Sequence, residues 1–172
     1  GEGSHFRVSL DPGGLAGVEW MSAADPPAVP AATAPRPAAP TRLNGRILLA
    51  EDTPDSRRLV RHHLERVGLR VDVAENGAEA YRMALDALLA GEPYDVVLMD
   101  MQMPEMDGYE ATSRLREEGY RGPIVALTAH AMTGEREQCI APGCHDYATK
   151  PIDRNTLLAT IALHLEKGSG AA

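Results

Sequence analysis

From Arg42 onward the chain alternates short, wholly apolar runs with segments of helical period, and no other feature limits its fold so tightly. Ile47-Leu48-Leu49-Ala50, Val96-Val97-Leu98-Met99 and Ile124-Val125-Ala126-Leu127 carry no polar residue. Such runs suit strands buried on both faces, as in a parallel sheet covered by helices on each side. Leu69, Val71 and Val73 instead alternate with Arg70 and Asp72, which predicts an edge strand with one wet face, and a further short strand is expected over 146–148. Between the strands, Thr53-Pro54 opens a helix marked by Leu59, Val60, His63, Leu64 and Val67, and Gly68 stops it. Ala80, Met83, Ala84, Ala87 and Leu88 mark a second helix ending at Gly91. Further helices are expected over 109–117 and 132–140, and from Asp153 with Leu157, Leu158, Ile161 and Leu165 on one face. Five successive βα units imply an α/β fold: a five-stranded parallel sheet in a three-layer α/β/α sandwich. With the alternating strand second and at an edge, the predicted strand order is 2-1-3-4-5.

The first 43 residues have a different texture. Residues 1–20 are mixed, with Phe6, Val8 and Leu10 alternating as in a strand. Residues 21–43 are mostly Ala and Pro, including Pro26, Pro27, Pro30, Pro35, Pro37 and Pro40, and read as an extended linker. The repeating domain is expected over 44–167, followed by a disordered tail at 168–172. The chain opens at Gly1 without an initiator Met or a signal-peptide pattern, so it reads as a piece of a longer protein. A formal net charge of -8 argues against a nucleic-acid partner, which needs a basic patch. No apolar run is long enough to cross a membrane, so no direct membrane contact and a cytoplasmic setting are expected. Cys139 and Cys144 lack a second pair of metal ligands nearby and read as reduced thiols.

In a parallel sheet, ligands gather beyond the carboxyl ends of the strands, where the strand order reverses. The residues at those ends are Glu51-Asp52 after strand 1, Asp100 after strand 3, Thr128 after strand 4 and Lys150 after strand 5. The reversal lies between strands 1 and 3, so Glu51, Asp52 and Asp100 should face one another. Three such carboxylates repel unless a cation neutralises them, and an all-oxygen site suits Mg²⁺, with Mn²⁺ able to substitute. The Lys150 ammonium and the Thr128 hydroxyl complete a pocket for a compact dianion, with Asp100 as nucleophile and phosphoryl acceptor. Each residue alone has a plain reading as a loop acid, a helix cap or a solvated charge. Their joint occurrence after four strands favours the functional reading.

Ile47-Leu48-Leu49-Ala50-Glu51-Asp52, the run from Met99 through Asp100 to Asp107-Gly108, Leu127-Thr128-Ala129 and Tyr147-Ala148-Thr149-Lys150-Pro151 together resemble the receiver domain of two-component response regulators. The resemblance covers residues 46–166 and implies the flavodoxin-like fold. It further implies that Asp100 accepts phosphate from a phosphohistidine. Asp52 and Asp100 would bind Mg²⁺ directly with the main-chain carbonyl of Gln102, and Glu51 would act largely through water. Lys150 would pair with the phosphoryl oxygens ahead of a cis bond to Pro151. Thr128 and Tyr147 would be the switch residues, drawn inward on phosphorylation, and the small Ala129 would leave the phosphoryl group accessible. Gln102 and His130, each two residues beyond a site residue, flank the path of an attacking water and are expected to tune phosphate lifetime.

Residues 1–10 resemble the end of a histidine-kinase ATP-binding domain, a loop or tag remnant being the alternative. Kinase remnant, linker and receiver in that order is the layout of a hybrid histidine kinase, whose parent chain can be membrane-anchored. The fragment itself is then no enzyme; its partners would be the kinase core or a histidine phosphotransfer protein. His62 and His63 read as a surface histidine and a half-buried neighbour. A haloacid-dehalogenase phosphatase would need a second Asp where Gln102 stands, and a dinucleotide-binding domain would need glycines where Glu51-Asp52-Thr53-Pro54 stands.

Overall fold

The computed structural model describes residues 42–129 and 143–169, with side chains to residue 166. The expected strand at Phe6–Leu10, the linker, the helix at 132–140, His130 and Cys139 lie outside the described residues. Nine elements follow in order: β1 (Arg46–Ala50), α1 (Pro54–Glu65), β2 (Arg70–Ala74), α2 (Gly77–Leu89), β3 (Val96–Asp100), α3 (Gly108–Glu117), β4 (Ile124–Thr128), β5 (Asp146–Thr149) and α4 (Arg154–Ser169). The five strands are parallel in the order β2-β1-β3-β4-β5. This is the flavodoxin-like architecture, and the alternating segment 69–73 does supply the edge strand.

The period of two along each strand divides the core into two halves. Leu48, Ala50, Val97, Met99, Ile124 and Ala126 point to one face, where they pack on Ala80, Ala84 and Ala87 of α2 and on Ala111 and Leu115 of α3. Ile47, Leu49, Val96, Leu98, Val125 and Leu127 point to the other, under Val60 and Leu64 of α1 and Leu157, Leu158 and Ile161 of α4. The three apolar runs have no polar residue because neither face meets water: β3 and β4 are buried along their whole length. Each fully buried Leu or Ile stabilises the fold by about 1.5–3 kcal/mol relative to exposure.

Helix starts are set by short polar side chains. Asn76 Oδ1 accepts from the Glu79 amide, Asp107 Oδ1 from the Glu110 amide and Asp153 Oδ1 from the Thr156 amide, each at 2.8 Å. Thr53 stands at the N-cap of α1 with Pro54 behind it, yet its side chain makes no cap bond. Its hydroxyl donates instead to Asp52 Oδ1 at 3.2 Å, so it serves the strand-end acid rather than the helix.

Gly108 marks a very close approach between backbone segments. A Cβ built there would strike the carbonyl oxygen of Asp100, the last residue of β3. Its amide donates to Met101 O at 3.2 Å, pulling the start of α3 onto the end of β3. Backbone cannot yield as a side-chain tip can. Gly108→Ala is therefore expected to destabilise the domain by about 1–3 kcal/mol, as overpacking does, read as a lower urea midpoint at unchanged slope.

Candidate functional site

The ends of β1, β3, β4 and β5 bring four kinds of group into one crevice. Glu51 follows β1 and is fully buried, Asp52 beside it is half-buried, and Asp100 closes β3 with 3% exposure. One carboxylate oxygen from each of the three lies within 4.8 Å of the others. Lys150, just past β5, reaches in with its Nζ 2.6 Å from Asp100 Oδ2 and 2.8 Å from Glu51 Oε2. The first contact is a directed hydrogen bond. The second is an ion pair that sets the same ammonium against a buried carboxylate oxygen. Asp100 Oδ1 accepts the Gln102 amide at 3.1 Å, and Glu51 Oε1 accepts the Thr53 amide at 3.3 Å. Thr128 closes β4 and is buried, while its carbonyl accepts the Lys150 amide at 2.7 Å. The Lys150–Pro151 peptide bond is cis.

Electrostatics follow from this crowding. Burial raises the pKa of Asp100 above the ordinary carboxylate range, and the nearby Glu51 charge adds to the rise. The hydrogen bonds from Lys150 and the Gln102 amide oppose it without cancelling it. For Lys150, burial acts to lower the pKa, but its contacts with Asp100 and Glu51 outweigh that and leave it raised. Lys150 is thus held as a cation. Three ionised carboxylates less one ammonium leave two negative charges at the crevice. That charge and the all-oxygen donors of Glu51, Asp52 and Asp100 fit a divalent cation of the Mg²⁺ kind.

The response regulator receiver domain family model matches residues 47–162. The chain belongs to that family. It is 41% identical over 128 residues to probable histidine kinase 2 of Oryza sativa subsp. indica, covering 67% of this chain and 12% of the relative. It is 34% identical over 121 residues to sensor histidine kinase RcsC of Salmonella typhimurium, covering 70% of this chain and 12% of the relative. This receiver thus spans about an eighth of the length of those relatives. Among solved structures it resembles the receiver domain of a Pseudomonas aeruginosa sensor histidine kinase described with a magnesium ion coordinated in its active-site cleft. The identity there is 37% and the TM-score 0.64, covering 72% of this chain and 99% of that one.

Of the site residues singled out from sequence, the receiver fold brings Glu51, Asp52, Asp100, Thr128 and Lys150 to one crevice. Gln102 touches Asp100 through its amide and leaves its side chain exposed. Tyr147 is on β5 with 36% exposure. His62 is exposed and His63 partly buried; burial and the nearby Arg154, His62 and Arg66 charges hold His63 below the usual histidine range. No described helix is long and apolar enough to cross a membrane. Gly108 was not recognised in the sequence as a site-shaping residue. Its signal was there, a glycine directly after the capping Asp107, where a helix start gains nothing from glycine unless another backbone presses on it.

The raised pKa of Asp100 sets the sign of one effect. A carboxylate raised in the fold is worse off ionised there than in the unfolded chain, so it weakens the metal-free fold at neutral pH. The weakening is relieved as pH falls through the folded-state value. Asp100→Asn should therefore melt above wild type in chelator at pH 7. The gap should narrow toward acidic pH, where wild-type Asp100 takes up its proton; differential scanning fluorimetry across pH checks both.

Proposed function

We propose that this receiver accepts a phosphoryl group from a phosphohistidine onto Asp100 and switches conformation as a result. The observation that carries the reading is the meeting of Asp100, Glu51, Asp52 and the Lys150 ammonium at the reversal of strand order. An Asp100 carboxylate oxygen attacks phosphorus, the phosphorus–nitrogen bond breaks, and the imidazole leaves with the electron pair and takes up a proton. Asp100 loses its charge when it becomes an acyl phosphate, which frees Lys150 to pair with a phosphoryl oxygen. The Thr128 hydroxyl supplies a further hydrogen bond from the neighbouring strand end. Glu51, Asp52, Asp100 and the Gln102 main-chain carbonyl would hold Mg²⁺, or Mn²⁺ in its place, and the ion when bound neutralises charge on the phosphoryl oxygens.

The role is that of a phosphoacceptor rather than an enzyme. Relatives described as histidine kinases, with about eight times the matched length, support a hybrid histidine kinase parent. In that setting residues 1–20 are a kinase remnant, 21–43 a linker and 44–167 the cytoplasmic receiver. The phosphodonor is then the kinase core or a histidine phosphotransfer protein. Phosphorylation acts as a population shift toward a state with Thr128 and Tyr147 drawn inward.

Incubation with acetyl phosphate and Mg²⁺, followed by intact mass, should give one hydroxylamine-labile phosphoryl adduct that is absent without Mg²⁺ and in Asp100→Asn. Mg²⁺ binding without an adduct from either acetyl phosphate or phosphorylated kinases would remove the acceptor role. Gln102 and His130 are assigned to phosphate lifetime. An unchanged half-life of the adduct in the Gln102→Ala/His130→Ala double variant would remove that assignment.

A further inference from the structure

His164 lies on α4 three residues past the buried Ile161 and is itself only 6% exposed. Its Nε2 is buried without a hydrogen bond, a rare condition for a polar atom. The group it faces is Asp146 at the start of β5, whose Oδ2 stands 3.6 Å away, just outside hydrogen-bond reach. The other oxygen of Asp146 is already engaged, since Oδ1 accepts the main-chain amide of Tyr147 at 2.8 Å. One carboxylate therefore touches both the helix and the backbone of the residue read above as the moving part.

We propose that His164 is a positioning residue for Tyr147, acting through Asp146, and that its protonation links proton activity to the receiver's switch. The inference rests on the reading of Tyr147 as a switch residue. A protonated His164 gains a charge-assisted hydrogen bond by closing the 3.6 Å gap, which fixes Asp146 and with it the Tyr147 amide against α4. A neutral His164 leaves the gap open and the start of β5 less constrained. Imidazole changes charge near neutral pH, where the link has use. Among the described strands β5 is an edge strand bonded only to β4, so side-chain ties to α4 weigh heavily in its position. Strand alternation supports the assignment: Asp146 shares a face with Ala148, which packs in the core half under α4, while Tyr147 faces the other way.

The titratable groups that meet His164 are Asp146 on β5 and, edge-on at 6.2 Å between ring centroids, His145 just before it. Behind His145 stands Arg116 of α3, its Nη2 3.1 Å from His145 Nδ1. The sign of the link follows. Low pH holds Tyr147 in the outward position seen here, and rising pH frees it to turn inward. By reciprocity, a ligand that selects the inward state must weaken proton binding at His164.

The test is a pH titration of the full 172-residue chain by NMR, following the histidine ring and Tyr147 amide signals, first metal-free and then with Mg²⁺ and beryllofluoride as a phosphoryl mimic. In the metal-free protein the Tyr147 amide should shift with the same midpoint as the His164 ring. Asp146→Asn keeps an oxygen acceptor for that amide but removes the charge, and should abolish the shared midpoint; so should His164→Gln. With beryllofluoride bound, the His164 midpoint should move to lower pH. A Tyr147 amide that stays flat through the His164 titration, or still titrates in His164→Gln, overturns the positioning role. An unmoved His164 midpoint with beryllofluoride bound overturns the link to the switch. Failure of beryllofluoride to bind counts against the phosphoacceptor reading alone, and the metal-free titration then decides the role of His164.

Discussion

The ammonium of Lys150 sits between two carboxylates that the fold has taken out of water, Asp100 at 2.6 Å and Glu51 at 2.8 Å. Burial disfavours the Asp100 anion in that position and the ammonium opposes the penalty, because desolvation of a carboxylate costs several kcal/mol. The sheet order explains why a lysine does this. β5 is not adjacent to β3; β4 lies between them, and strands are about 4.8 Å apart, so the two strand ends stand roughly 10 Å apart. The lysine stem covers part of that distance from the end of β5, and the Asp100 and Glu51 side chains, reaching from the ends of β3 and β1, cover the rest. The long side chain thereby ties the carboxyl ends of β1, β3 and β5 into one electrostatic unit.

That unit remains unbalanced, and the imbalance is its chemical use. Burial leaves Asp100 with a raised proton affinity even with Lys150 beside it, and Glu51 sets a second buried carboxylate against the same ammonium. A site tuned only for stability would replace one of these acids with an apolar side chain. The cost is offset by the two core halves on either side of the sheet, where three strands are wholly or nearly wholly buried. The apolar runs are thus legible both as the source of the fold and as what allows a strained charge cluster to persist at its rim.

Much of this was open to sequence reasoning because two periods coincide with simple physics. A run such as Val96 to Met99 can only be a doubly buried strand or a fragment of buried helix, and its length decides for the strand. Once the strands are placed, Glu51, Asp52, Asp100, Thr128 and Lys150 fall at their ends without further assumption. What escaped depends on atoms rather than on pattern. Nothing in Thr53-Pro54 shows that the hydroxyl will leave the helix and turn to Asp52. The press of Gly108 on the Asp100 carbonyl depends on the exact path of a seven-residue loop. His164 had a visible signal, since 157, 161 and 164 share one helical face, but its partner Asp146 is separated in sequence and only the packing of α4 on β5 unites them.

The short strand β5 draws these threads together. Its end supplies Lys150, its outward face presents Tyr147, and its inner face offers Asp146 to α4 and Ala148 to the core. A strand is stiff along its length, so a displacement of Lys150 toward a new anion acts on Tyr147 three residues back, and a restraint on Asp146 acts in the opposite direction. Central strands are held by two neighbours and buried on both faces, which leaves them little room for such motion. An edge strand bonded on one side alone can shift by a fraction of an ångström without breaking the sheet. In the proposed reading, the charge is therefore sensed on β1 and β3, where geometry is rigid, and reported on β5, where it is not.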